Sequence, residues 1–292
     1  MPYAITLKCY IKSNAESTDV SGYHIHAAFF NILSEGSEET SRKLHSEEGR
    51  KAFTVSSLFG KSSLVSGRWS LDRKSLVVGR SSLDKNNLKT KDQRLRTGNE
   101  VWFRVTLLDD AVFPIFSLHF LENPNPVIRL GTIELLVKEV KVTGGKGAWW
   151  SGFSDYKNLY ESAEPLDEIT LQFATPTSFK QGDTNMLFPI PKLAFKGYLE
   201  KWNKYSGMTI RDSLLDGIDD SFILSQYELK TLPFSDGRAV IPGFVGTCTF
   251  KIKNKDKEFL RSVNLLADFS FFAGTGRKTT HGMGMTRRVI SR

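Results

Sequence analysis

YAITLKCYI (residues 3–11), followed after a polar gap by GYHIHAAFFNILSEG (residues 22–36), is the stretch from which the fold is read. The first segment is short and rich in β-branched and aromatic residues, the composition of a strand. In the second, Ile25, Ala28, Phe29, Ile32 and Leu33 recur at helical spacing and share one face, so a helix follows the strand. Outward from this pair, AFTVSSL, around Phe53 to Leu58, and VWFRVTLL, from Val101 to Leu108, read as two further strands. DDAVFPIFSLHFLEN offers Asp109 or Asp110 as an N-cap and tolerates Pro114 only near a first turn, which predicts a second helix. VIRLGTIELLVKEVKV then reads as one long strand. The first half therefore spells β-α-β-β-α-β.

A GGKG turn at Gly144 to Gly147 and the polar run after Trp150 mark a boundary, and the order then repeats. ITLQFATPTSF is a strand, PIPKLAFKGYLEKWN a helix opened by prolines, FILSQYELKTL and VGTCTFKIKN two strands, DKEFLRSVNLLADFSFFAG a helix, and HGMGMTRRVI a last short strand. The chain is expected to be α+β, two tandem ferredoxin-like βαββαβ domains over residues 1–150 and 151–292. Its 292 residues suit two compact domains. The halves share a pattern and no visible sequence identity.

Forty Lys and Arg against thirty-two Asp and Glu give a net charge of +8, and a polyanionic partner fits this better than an acidic protein or a neutral metabolite. The charge clusters: nine basic residues against three acids lie between Arg68 and Arg96, a net +6, and the last sixteen residues hold five basics and no acid. The serine-rich basic stretch lies between two predicted strands, an insert that a domain core does not need; Arg68, Arg73 and Lys74 are its first candidate RNA contacts. Cys9 and Cys248 are too few and too distant for a disulfide framework or a thiolate zinc site, and they suit a reducing cytoplasm. No segment has the length and apolarity of a membrane span or an export signal.

GTGRKTTHGMG (residues 274–284) places four glycines, Arg277, Lys278 and His281 in one loop after a helix. Glycines admit positive φ and close approach, so backbone N–H groups there can face a phosphate that the cations neutralise. The loop lacks the spacing of a Rossmann or Walker motif, which argues against a nucleotide cofactor. On composition alone, a helix-to-strand connection with solvated cations accounts for it as well as RNA binding does.

FFAGTGRKTTHGMGM closely resembles the C-terminal glycine-rich signature of the CRISPR-associated repeat-processing endoribonucleases, within the repeat-associated protein superfamily. LHSEEGRKAFTVSSL, VIRLGTIEL, ITLQFATPTSF with the helix ending EKWN, and IPGFVGTCTF resemble the same family in the same order, so the likeness spans both halves. It implies two ferredoxin-like domains, RNA binding by the glycine loop (Gly274, Gly276, Arg277, Lys278, His281, Gly282 and Gly284), and cleavage within the repeats of a precursor transcript. CRISPR repeat RNA is the implied partner, with an effector complex beyond it and a monomer or homodimer as the acting form.

RNA can supply its own nucleophile, the 2′-hydroxyl beside the scissile phosphate, so the protein needs a base, an acid and positive charge, without metal or cofactor. No carboxylate pair at metal spacing, HExxH or cysteine cluster is present. Histidine suits the proton transfers, and the chain has five: His24, His26, His45, His119 and His281. His119 lies on an apolar helix face and reads as a packing residue. His24 and His26 open the first helix, one expected toward the cleft and one toward solvent. His45, in a polar loop by its sequence, matches the position at which the resemblance places a catalytic histidine and ranks first; without the resemblance, a solvated loop histidine would be the simpler account. Lys51 is expected to stabilise developing charge and Tyr23 to orient the 2′-hydroxyl. The competing readings are a non-catalytic RNA-binding subunit of the same superfamily and a generic single-stranded RNA chaperone.

Overall fold

The computed structural model describes residues 1–12, 20–60, 97–144, 150–236 and 239–289. The basic stretch from Arg68 to Arg96, with Arg68, Arg73 and Lys74, lies outside the described residues. The N-terminal half runs β1 (Tyr3–Ile11), α1 (Gly22–Gly36), α2 (Glu38–Ser46), β2 (Phe53–Val55), β3 (Phe59–Gly60), β4 (Glu100–Leu107), α3 (Val112–Glu122), β5 (Val127–Leu130), β6 (Ile133–Lys141) and β7 (Gly152–Phe153). Its antiparallel sheet has the order β2-β4-β1-β6-β5, with β3 on β4 and β7 on β1. The order β6-β1-β4-β2 is the fourth, first, third and second strand of a ferredoxin-like unit.

β1 is central because it can be buried on both sides: Ala4, Ile5, Leu7, Cys9 and Ile11 all lie in the interior. α1 lays Ile25, Ala28, Phe29, Ile32 and Leu33 on the sheet, the face its spacing predicted. Phe29 stacks on Phe53 of β2 at 4.5 Å. Two expectations fail here. VIRLGTIELLVKEVKV is a hairpin, β5 and β6, because the chain turns between Leu130 and Ile133 with Gly131 at φ +64°, a backbone conformation that favours glycine. His45 is in the last turn of a helix, α2, and not in a loop. That helix buries only Ser41 and Leu44, too little to leave an apolar stripe in the sequence.

The C-terminal half runs α4 (Tyr156–Ser162), β8 (Glu168–Thr177), β9 (Phe179–Gln181), β10 (Thr184–Met186), α5 (Pro191–Tyr205), α6 (Leu214–Ser221), β11 (Phe222–Ser235), β12 (Val240–Ile252), α7 (Lys257–Ala273), a 3-10 turn (Thr279–His281) and β13 (Thr286–Val289). Its main sheet has the order β11-β12-β8-β13, the same ferredoxin-like arrangement. The hairpin β11–β12 pairs from Phe222↔Ile252 to Ser235↔Val240 and is longer than its two predicted strands. Only the end of HGMGMTRRVI is strand; His281 closes the 3-10 turn. No described helix is long and apolar enough to cross a membrane.

The two halves meet at the C-terminus of α7. A helix leaves its last carbonyls without intrahelical partners, and burial without substitutes is costly. Three consecutive carbonyls here find them. Arg104 of β4 donates through Nη2 to Phe271, Thr106 of β4 through Oγ1 to Phe272 at 2.8 Å, and buried Lys201 of α5 through Nζ to Ala273. Cations at a helix C-terminus also meet the negative end of its dipole. Arg104 further donates from Nε to the Trp150 carbonyl at 2.7 Å and packs on the Phe271 ring, 4.1 Å from its centroid. Around this clamp Phe59, Trp102, Trp150, Ala174 and Met285 form a small buried cluster.

The hydroxyl of Thr106 also contacts that of Thr54, at 2.6 Å in the buried interior. Thr106→Val keeps the shape and leaves the Phe272 carbonyl and the Thr54 hydroxyl short of a partner. It is expected to lower stability by about 1–3 kcal/mol, measured as a shift of the urea midpoint at constant m-value.

Candidate active site

The N-terminus of α1 is built against the glycine loop. Ser21 caps the helix, and the backbone N–H of Ser21 donates to Nδ1 of His24 at 3.1 Å, so His24 serves as a capping-box acceptor. Its ring lies beneath the Gly131 turn; a Cβ at Gly131 would sit 3.2 Å from Nε2. Gly22 touches the loop so closely that a Cβ there would stand 1.4 Å from the His281 carbonyl oxygen. This glycine is required by approach, not by φ.

His26, one turn on, is the residue around which the site closes. Its Nδ1 lies 2.8 Å from the Thr280 carbonyl oxygen. A carbonyl only accepts, so Nδ1 carries the proton and the neutral ring keeps its lone pair on Nε2. The His26 ring is stacked on that of His281, centroids 4.2 Å apart and planes 12° from parallel. Phe30 and Phe53 pack on it at 4.9 and 5.7 Å, both tilted. Burial holds the His26 imidazole below its ordinary value; the Thr280 hydrogen bond opposes this, and the charges of His45 and Lys51 add to it.

His45 reaches the same place from α2. Its ring meets another partner of His26, Phe30, edge to face at 5.1 Å, so the two histidines pack on one phenyl ring. His45 itself is exposed. Lys51 explains how the last turn of α2 is held: its ammonium donates to the carbonyls of Leu44 at 3.2 Å, His45 at 2.8 Å and Glu47. α5 then braces the following loop. Lys204 pairs with Glu47 at 2.8 Å, Arg50 with Glu200 at 2.5 Å, and the Tyr205 hydroxyl donates to Glu47 at 2.9 Å. Tyr23 is 41% exposed, with its ring edge-on to His24 at 6.2 Å; it precedes His26 by three residues and so lies on a neighbouring part of the same helix surface.

Five backbone N–H groups of the glycine loop are tied into the fold. The N–H groups of Thr275, Arg277, His281, Met283 and Gly284 donate to the carbonyls of Gly284, Ser178, Lys278, Lys278 and Pro176. Those five donors are spent on the protein. Gly274, Gly276, Gly282 and Gly284 all have positive φ, and Cβ atoms at Gly276 and Gly284 would lie 2.4 and 2.0 Å from backbone oxygens. The cations remain at its edge: Arg277 donates to Asn185, and Lys278 pairs with buried Asp236. Beneath it Thr275 joins the hydroxyls of Tyr198 and Thr286 at 2.5 and 2.7 Å. Gly282 forms a parallel bridge with Ser56, and its carbonyl accepts from the Ser57 hydroxyl at 3.2 Å, so the loop is tied to the N-terminal half.

His119 packs as its position suggested, with Nδ1 2.6 Å from Glu35 and a side chain only 11% exposed. Among the described residues no three His, Cys, Asp or Glu side chains gather as a metal set. The contact between His26 and His281 had no signal in the sequence, since 255 residues separate them.

Two family models match the chain, the CRISPR Cas6 N-terminal domain over residues 1–161 and the CRISPR-associated endoribonuclease Cas6 over residues 171–286. The CRISPR-associated endoribonuclease Cas6 of Mycobacterium tuberculosis (strain CDC 1551 / Oshkosh) is 30% identical over 135 residues, 46% of this chain and 43% of that protein. The protein of the same name from Streptococcus thermophilus is 30% identical over 128 residues, 43% of this chain and 52% of that protein. The matched stretch thus spans about half the length of these relatives. Among solved structures, a Cas6 product complex shares the fold with a TM-score of 0.77 at 24% identity, over 99% of both chains. Thermus thermophilus Cas6 gives a TM-score of 0.69 at 22% identity, over 99% of this chain and 98% of that one. With one model covering more than half of its length and a second most of the remainder, the chain belongs to the CRISPR Cas6 family.

Proposed function

We propose that the chain is an endoribonuclease that cuts precursor CRISPR transcripts within their repeats, with His26 and His45 sharing the proton transfers and no metal taking part. The observation that carries this reading is the pair of imidazoles on one phenyl ring, one half-buried with a fixed tautomer and one open to solvent. Membership of a family whose model is named for an endoribonuclease supports it, as do fold relatives solved as product and substrate-mimic complexes.

His26 is the base. Its Nε2 lone pair takes the proton of the 2′-hydroxyl, the 2′-oxygen bonds to the adjacent phosphorus, and the bond from phosphorus to the 5′-oxygen breaks. His45 gives a proton to that departing oxygen. The products are a 2′,3′-cyclic phosphate and a 5′-hydroxyl, so no water or metal is consumed. Lys51 has its ammonium on three carbonyls, and its part is to hold the last turn of α2 while adding positive charge beside the phosphorane. Tyr23 and the basic stretch with Arg68, Arg73 and Lys74 are assigned to holding the RNA, together with Arg277 and Lys278 at the edge of the glycine loop.

Single-turnover cleavage of the cognate repeat tests the pair. His26→Ala and His45→Ala are each expected to lose on the order of 10²–10⁴-fold in rate with RNA affinity retained, in excess chelator as in its absence. A wild-type upstream fragment ending in a 3′-hydroxyl would overturn the chemistry. The pH profile has a definite sign. A base works only when unprotonated, and His26 is held below its ordinary 6.5, so the rate should persist to lower pH than a solvated histidine would allow. For the loop, Arg277→Ala combined with Lys278→Ala should weaken repeat binding and flatten its salt dependence, measured by titration at several ionic strengths.

A further inference from the structure

We propose that His281 is a positioning residue for His26: its ring lies flat on the His26 ring and fixes the plane in which Nε2 meets the RNA. The inference rests on the reading of His26 as the base. Hydrogen bonding at Nδ1 restrains one edge of the His26 ring but leaves it able to rock about that edge. Phe30 and Phe53 meet it at interplanar angles of 58° and 38°, contacts that many orientations satisfy. The near-parallel partner at 4.2 Å and 12° is the one that selects a plane.

One short turn delivers both restraints. Thr280 supplies the carbonyl to the edge and the next residue supplies the ring to the face. That turn is itself held: the His281 N–H donates to the Lys278 carbonyl at 2.9 Å, the Thr280 hydroxyl lies 2.9 Å from His281 Nδ1, and Gly282 closes the turn at φ +105°. Gly22 admits the His281 carbonyl where any side chain would collide. Among the described residues, the other titratable groups around His26 are His45 from α2 and Lys51 from the loop before β2; His24, on the same helix, is occupied with Ser21. His281 also covers one face of the ring from water. Its removal should let the His26 imidazole rise toward its ordinary value, because burial is the largest cause of the depression.

The test compares wild type, His281→Ala, His281→Phe and His26→Ala, by single-turnover cleavage across pH, by binding of a 2′-deoxy repeat, and by NMR titration of the His26 imidazole. His281→Ala is expected to lose on the order of 10–100-fold in rate with affinity for the deoxy repeat unchanged, as for a displaced catalytic group. The acid limb of its rate profile should move to higher pH, and the His26 titration with it. Phe at 281 keeps a flat ring on His26, so it should recover most of the rate and return the limb toward the wild-type position. A His281→Ala protein equal to wild type in rate and pH profile would overturn the proposal, as would a folded His281→Phe protein as slow as His281→Ala. If His26→Ala cleaves at the wild-type rate, the reading of His26 as base fails instead. The NMR titration needs no cleavage and still decides whether His281 sets the His26 environment.

Discussion

The last turn of α7 ends in the interior with three carbonyls that the helix cannot satisfy, and everything at the site follows from how they are capped. Arg104, Thr106 and Lys201 reach them from β4 and α5, so one helix end is bound by both halves of the chain. A bare helix C-terminus could not be buried there, and a guanidinium and an ammonium could not be buried without acceptors. Burial, with the nearby charge of Arg50, pulls Lys201 down to about 7, which reflects how fully that ammonium has left water. Each group solves the desolvation problem of the other, and the arrangement fixes where the chain emerges at Gly274.

From that point the glycine loop works as a buckle. It returns along β8 through hydrogen bonds to Pro176 and Ser178, crosses to Ser56 and Ser57, and presents Thr280 and His281 to α1. Four positive-φ glycines let it double back within eleven residues, while Lys278 is left-handed at φ +52°, its carbonyl accepts from His281 and Met283, and its side chain pairs with Asp236. The geometry at His26 is therefore made by the C-terminal half, although His26 and His45 belong to the N-terminal half.

The second brace is the loop after α2. Lys51 closes that helix from within, and Lys204, Tyr205 and Glu200 of α5 hold Glu47 and Arg50 from across the interface. Partly exposed ion pairs of this kind add little stability one by one. Their weight here is geometric, because they fix the loop that follows the helix carrying His45 against α5.

Much of this was legible in the sequence where the physics is local. The apolar spacing of α1, the strand-forming composition of β1, and the density of glycine and basic residues at 274–284 each reflect a constraint acting within a few residues, so both ferredoxin-like units and the loop could be read. The short, polar α2 and the two-residue turn at Gly131 were missed because a nine-residue helix with one buried apolar side chain and a tight hairpin carry little apolar signal. The candidate histidines could be named from their chemistry, since only a few side chains move protons near neutral pH. Their division of labour could not. Whether His26 loses water and which loop N–H groups are spent on the fold depend on contacts between residues up to 255 positions apart. The sequence by itself determined the elements and the chemical repertoire; the tertiary structure decided which groups meet, because desolvation and hydrogen-bond direction exist only once distant segments have been packed against one another.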